Sequence, residues 1–345
     1  MTRRSLATTA EKLTEPPIAP PEPRMWRDTL FRRARSFVAN AFFESLSATG
    51  RLHPAASPKR HGVEVECDIA YGPDPAHRLD IYRPITRPKP WPVVFYVHGG
   101  AFHLLSKDTH WLMGLVFARF GYLVVNISYR LAPKHPFPAA IEDTCRAYTW
   151  MASRVKELGG DPDRVAVAGE SAGGNLISSL ALASIWRRPE PWAAEVFDCG
   201  VTPRAALPFC AILQVSETER FAKRRKMSWW VDGMLRDTGA SYLSGHPKVR
   251  SDATALADPL LAIEAAAAGD LAFDRSVPPF FAPVGTRDPL LDDTRRLEKA
   301  LAMLNAPCEA RYYPGGIHAF HALVWDPAAR RCWRDALAFL DRHMR

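Results

Sequence analysis

The chain has 345 residues, with 45 Lys+Arg against 37 Asp+Glu, 47% hydrophobic and 24% charged residues, and six cysteines. That length fits one large α/β domain or two medium ones, and the apolar content excludes a disordered or collagen-like chain. No run approaches the roughly 18 consecutive apolar residues of a membrane span. The net charge of +8 does not point to nucleic acid, because residues 1–60 carry 11 Lys+Arg against 5 Asp+Glu and therefore +6 of it. No nucleic-acid-binding motif accompanies that excess.

Arg3-Arg4 is the twin arginine of an export signal, but the apolar region that must follow is missing. The expectation is a cytoplasmic protein with a disordered Pro-rich leader over 1–24. The cysteines at 67, 145, 199, 210, 308 and 332 form no C-x-x-C pair and read as thiols. Over 25–47, Trp26, Leu30, Phe31, Phe37, Val38, Phe42 and Leu46 recur at three-to-five spacing with Arg27, Arg32, Arg33, Arg35 and Glu44 between them. This predicts an amphipathic helix with its apolar side packed on the body, a basic outer face, and a weak membrane-surface association as the competing use.

From residue 63 short β-rich runs alternate with helical stretches. Strands are predicted over 63–71 and 78–83, joined by Gly72-Pro73-Asp74-Pro75, then over 91–97, 122–128, 164–168, 209–215, 279–284 and 309–313. Helices are predicted over 108–120, 137–158, 172–187, 291–304 and 326–343. Strands alternating with helices of this length imply right-handed crossovers and a mostly parallel sheet covered on both faces, with an antiparallel edge from the opening hairpin. Residues 216–275 break the alternation with the basic run Arg220, Lys223, Arg224, Arg225 and Lys226, with Trp229-Trp230, and with an Ala-rich stretch, and read as an excursion.

The strongest chemical signal is Gly169-Glu170-Ser171-Ala172-Gly173, directly after the apolar strand and before a helical run. A serine at a sharp strand-to-helix turn needs small neighbours, which Gly169, Gly173 and Gly174 supply, and the turn lifts its hydroxyl to a helix N-terminus. Serine is a weak nucleophile at neutral pH, so a base and an orienting acid must follow in the order Ser, Asp, His. Asp288 lies past the strand ending near 284, and His318 past the one ending near 313, behind Gly315-Gly316. The rivals are Asp292 and Asp293, read as dipole partners of the next helix, and His321. His98-Gly99-Gly100-Ala101 follows the buried strand 91–97, where N–H groups of Gly100 and Ala101, with that of Ala172, would face a developing oxyanion. His98 reads as an anchor of this loop. A metal site at His98 and His103 is disfavoured because no carboxylate or thiol stands at suitable spacing.

His98–Ala101, the run Tyr129-Arg130-Leu131-Ala132-Pro133-Lys134 through Ala140, Gly169–Gly174, Asp288-Pro289-Leu290 and His318 together resemble the hormone-sensitive-lipase family of α/β-hydrolases over roughly 63–345. The resemblance implies an α/β-hydrolase fold of about eight mostly parallel strands, an N-terminal helical cap over 25–62, and a Ser171–Asp288–His318 triad. It also implies hydrolysis of small carboxylic esters of short to medium acyl chain, with no cofactor or metal. Ala101 stands where the family usually has a third glycine, and Lys134 where it usually has Glu. The alternatives are an amide hydrolase on the same triad and a non-catalytic small-molecule receptor; the oligomeric state is not written in the sequence.

Overall fold

A computed structural model describes residues 23–224, 226–246 and 252–344. The chain divides into two units, one up to Ala39 and one over Asn40–Arg345. The predicted leader lies outside the described residues as far as position 22, and a helix already begins at Pro23.

Eight strands form one sheet: β1 (Glu64–Ala70), β2 (Arg78–Arg83), β3 (Trp91–Val97), β4 (Leu123–Ile127), β5 (Gly160–Glu170), β6 (Ala205–Phe209), β7 (Phe280–Gly285) and β8 (Cys308–Tyr313). Their order is β1-β2-β4-β3-β5-β6-β7-β8, antiparallel at β1/β2 and β2/β4 and parallel from there on. The helices are α1 (Pro23–Arg51), α2 (Trp111–Arg119), α3 (Ala139–Arg154), α4 (Ala172–Ile185), α5 (Pro191–Asp198), α6 (Arg220–Arg224), α7 (Trp229–Tyr242), α8 (Pro259–Ala268), α9 (Leu291–Met303) and α10 (Pro327–His343). The excursion over 216–275 thus supplies α6, α7 and α8.

The period of two in β3 assigns the layers. Val93, Phe95 and Val97 join the cluster built with α3, α4, α5, α8 and α9, while Val94 and Tyr96 join the one built with α2 and α10. A strand buried on both faces must be largely apolar, which is why β3, β4, β6, β7 and the Val165–Ala168 part of β5 read as near-continuous hydrophobic runs. Helix α4 is buried along its whole length, so it is the core helix of the fold.

Two expectations are corrected. The strand predicted at 209–215 is β6, ending at Phe209; Ala205–Phe209 pairs in register with Ala166–Glu170. Cys210 through Val215, apolar apart from Gln214, are equally buried, but they form a covered loop, and periodicity cannot separate two adjoining apolar runs. The second concerns α1, whose apolar side was expected to pack inward. In Asn40–Arg51 the polar side faces the body: Asn40 Oδ1 accepts from Leu105 N–H at 3.0 Å, and Ser47 Oγ donates to the Asp108 carbonyl and accepts from Trp111 Nε1. Phe42, Phe43 and Leu46 point to solvent, 61%, 44% and 50% exposed. Among the described residues no helix is long and apolar enough to cross a membrane.

The β6/β7 ladder is thin. Ala206↔Phe280 is its one register pair, and Ala206 N–H reaches the Pro279 carbonyl. Pro208 and Pro283 carry no N–H for the next rung. Pairing resumes where Cys210 N–H donates to the Pro283 carbonyl at 2.9 Å.

Candidate active site

Ser171 sits between β5 and α4 at φ +52° and ψ −116°, a region an L-residue enters only when its surroundings impose it. The surroundings do so from both sides. Ser171 N–H donates to the Phe209 carbonyl of β6 at 2.9 Å, and its carbonyl accepts from Asn175 and Ile212. The turn also brings Gly173 against β3, where a Cβ would stand 2.1 Å from the Val97 carbonyl oxygen. Glycine at 173 is therefore required by the close approach of helix and strand.

Asp288 follows β7, is fully buried, and accepts from Leu290 N–H through Oδ1 at 2.8 Å and from His318 Nδ1 through Oδ2 at 2.9 Å. His318 lies beyond β8, with 37% of its side chain exposed. Burial of the ring opposes its protonation, but the Asp288 carboxylate and then the Cys210 sulfur outweigh that and hold it well above the ordinary histidine value. Ser171, Asp288 and His318 thus each follow the C-terminal end of a parallel strand, β5, β7 and β8, the edge where open α/β sheets hold ligands.

The loop after β3 turns through left-handed conformations at Gly100 (φ +116°), Ala101 (+54°) and Phe102 (+62°). A Cβ on Gly100 would meet the Leu104 carbonyl oxygen at 2.1 Å, so only glycine fits there. Ala101, where the resembled family usually has a third glycine, takes a left-handed φ of +54°, which costs an L-residue about 1–2 kcal/mol. The carbonyl of Gly100 accepts from His103 and Leu104, and that of Phe102 from Ala132, which fixes the loop. Among the described residues, the N–H groups of Gly100, Ala101 and Ala172 have no internal acceptor. His98 is fully buried, its Nδ1 pairs with the Gly99 carbonyl at 2.6 Å, its ring stacks on Tyr129 at 4.3 Å, and its own carbonyl accepts from the Tyr129 hydroxyl. Burial drives its pKa down to about 3. His103 Nδ1 pairs with the Ala101 carbonyl at 2.7 Å.

Sequence reasoning missed a second buried cluster beneath the serine. Glu170, the second residue of the glycine motif, accepts from His110 Nε2 at 2.9 Å, and its other oxygen lies 2.9 Å from His321 Nε2 without hydrogen-bond alignment. Burial alone would protonate this carboxyl, yet His110 and His321 hold its pKa well below the ordinary value. Burial opposes charge on His321 as well, but Cys210 and Glu170 raise it to about 9. The signal available was an acid at the second position of the motif, in a segment whose burial leaves no room for an unpaired charge.

The rival acid Asp293 is a structural anchor. Fully buried, it takes both oxygens to Arg220 Nη2 at 2.6 and 2.7 Å and accepts from Leu213 N–H. Arg220, the first residue of the basic run, is therefore buried. Asp292 pairs with Arg224 and Arg295 at 3.4 Å on the surface side. Lys134 is exposed.

Residues 94–322 match the family described by an alpha/beta hydrolase fold. A Mycobacterium tuberculosis protein named carboxylesterase NlhH is 32% identical over 256 residues, 73% of each chain. A Salmonella schwarzengrund acetyl esterase is 31% identical over 242 residues, 70% of this chain and 68% of the relative. Among solved structures, a bacterial heroin esterase superposes with a TM-score of 0.72 at 24% identity, covering 90% of this chain and 93% of that one. An esterase of Pyrobaculum calidifontis does so with a TM-score of 0.66 at 26% identity, covering 88% and 92%.

Proposed function

Because the chain belongs to the hormone-sensitive-lipase family of α/β-hydrolases and is a carboxylic ester hydrolase, we propose that it works through a Ser171–His318–Asp288 triad and an acyl-enzyme. The observation that carries this reading is the 2.9 Å pair of His318 Nδ1 and Asp288 Oδ2, placed at the same sheet edge as a serine on a left-handed turn. In its neutral form, which prevails only above its raised pKa, His318 keeps the ring proton on Nδ1 facing Asp288, and Nε2 is free to take the Ser171 proton. The hydroxyl oxygen then attacks the ester carbonyl, and the oxyanion gathers the unpaired N–H groups of Gly100, Ala101 and Ala172. His318 gives its proton to the leaving alcohol, and water admitted afterwards repeats the sequence on the acyl-enzyme.

Short to medium acyl esters are the substrate class, a reading supported by the acetyl specificity in the name of the Salmonella relative. Residues 25–62 serve as a cap, supported by the bond from Asn40 into the loop of the oxyanion donors at Leu105. Deleting residues 1–48 is then expected to shift the acyl-length preference. An unchanged preference with loss of liposome binding would instead assign the helix to a membrane surface.

The central test is Ser171→Ala, expected to lower p-nitrophenyl butyrate hydrolysis by on the order of 10⁶ and to abolish fluorophosphonate labelling. An undiminished rate would remove the serine from the chemistry. A rate confined to paired amide substrates would move the assignment to amide hydrolysis.

A further inference from the structure

Directly after β6 stands a thiol that ester hydrolysis does not use. Cys210 is fully buried, at φ +38°, and held by its N–H to the Pro283 carbonyl. Its sulfur, a carboxylate oxygen of Asp288 and a ring nitrogen of His318 all lie within 4.8 Å of one another.

We propose that Cys210, Asp288 and His318 form an inhibitory site for a thiophilic divalent cation, Zn²⁺ above all. Thiolate, imidazole and carboxylate are the Zn²⁺ donor set, whereas Mg²⁺ and Ca²⁺ require oxygen ligands. Tetrahedral Zn²⁺ places such donors about 3.3–3.6 Å apart, so side-chain shifts of about 1 Å complete the site. The partly exposed edge of His318 leaves a fourth position to water. Binding releases the thiol proton to solvent. Either ring nitrogen gives inhibition: ligation at Nδ1 moves the ring proton to Nε2, and ligation at Nε2 occupies it, so in both cases the imidazole loses its capacity to accept the Ser171 proton.

The inhibition rests on the triad reading above, while the metal site itself does not, and two readouts keep them apart. The full chain is titrated with Zn²⁺, following p-nitrophenyl butyrate hydrolysis, and in parallel with Co²⁺, following the thiolate-to-metal charge-transfer absorption. Zn²⁺ is expected to inhibit reversibly, with recovery on adding EDTA and no effect of Mg²⁺, and Co²⁺ to develop the thiolate band. Cys210→Ser and Cys210→Ala are expected to remain active, to need at least about 100-fold more Zn²⁺ for inhibition, and to lose the band. Equal Zn²⁺ sensitivity in either folded variant, or no thiolate band in the unsubstituted protein, overturns the proposal. A band in Ser171→Ala protein supports the site whatever becomes of the catalytic assignment.

Discussion

His318 and His321 stand three residues apart, and each has a ring nitrogen 2.9 Å from a carboxylate oxygen. Their surroundings differ. His318 follows the Gly315-Gly316 turn, shows 37% of its side chain to solvent, and has one acid behind it. His321 is 1% exposed, packs against Phe209 and Trp333, and shares Glu170 with His110. One pair couples an open face to a buried acid, the arrangement proton transfer to a substrate requires. The other is closed on all sides, so its charges hold β5 and the turn at Ser171 in place.

That contrast breaks if the two carboxylates respond alike to substitution. Asp288→Asn leaves the geometry but supplies the wrong tautomer, and kcat is expected to fall by on the order of 10⁴, with urea denaturation little changed. Glu170→Gln strands two buried imidazoles and is expected to lower stability by about 3 kcal/mol, while kcat falls far less than in Asp288→Asn. A kcat loss in Glu170→Gln equal to that of Asp288→Asn would make the closed cluster part of the chemistry.

The third histidine, His98, sharpens the comparison through pH. Its folded pKa of about 3 lies below the unfolded value, so as pH falls below about 6.5 the unfolded chain takes up the proton first and stability is lost. Between pH 6.5 and 5 this amounts to about 2 kcal/mol, measured as the shift of the urea midpoint, and His98→Asn is expected to remove that slope. The smallest effect belongs to Ala101→Gly. Relief of the αL conformation and the greater entropy of the unfolded glycine nearly cancel, leaving stability within about 0.5 kcal/mol and kcat unchanged. A marked rise in kcat would show that the Cβ of Ala101 displaces its N–H from the oxyanion.

The fold was legible wherever a strand carried its own pattern and a turn marked its end. Strands β2 and β3 match their predicted limits, and the serine turn was betrayed by glycines that close packing demands. What escaped were features decided by partners distant in sequence. Cys210 and Phe209 are equally apolar, and only pairing with β5 determines where β6 stops. Glu170, Arg220 and Asp293 gain their roles from groups 60 to 151 or 73 positions away, and no local spacing encodes such ion pairs. The inverted orientation of Asn40–Arg51 escaped for the same reason, since Asn40, Ser47 and Trp111 outrank the apolar stripe.

The missing rung between β6 and β7 divides the molecule along a functional line. Ser171 belongs to the half that ends at β6, and Asp288 and His318 to the half that begins at β7. With Pro208 and Pro283 silent as donors, the alignment of Ser171 with the Asp288–His318 pair, the proposed nucleophile and base, is entrusted to side-chain packing across the seam, such as Phe209 on Phe281. Backbone bonding constrains it least at that place. Mild denaturant is therefore expected to loosen the register of the two halves, and with it turnover, while the secondary structure of each half persists.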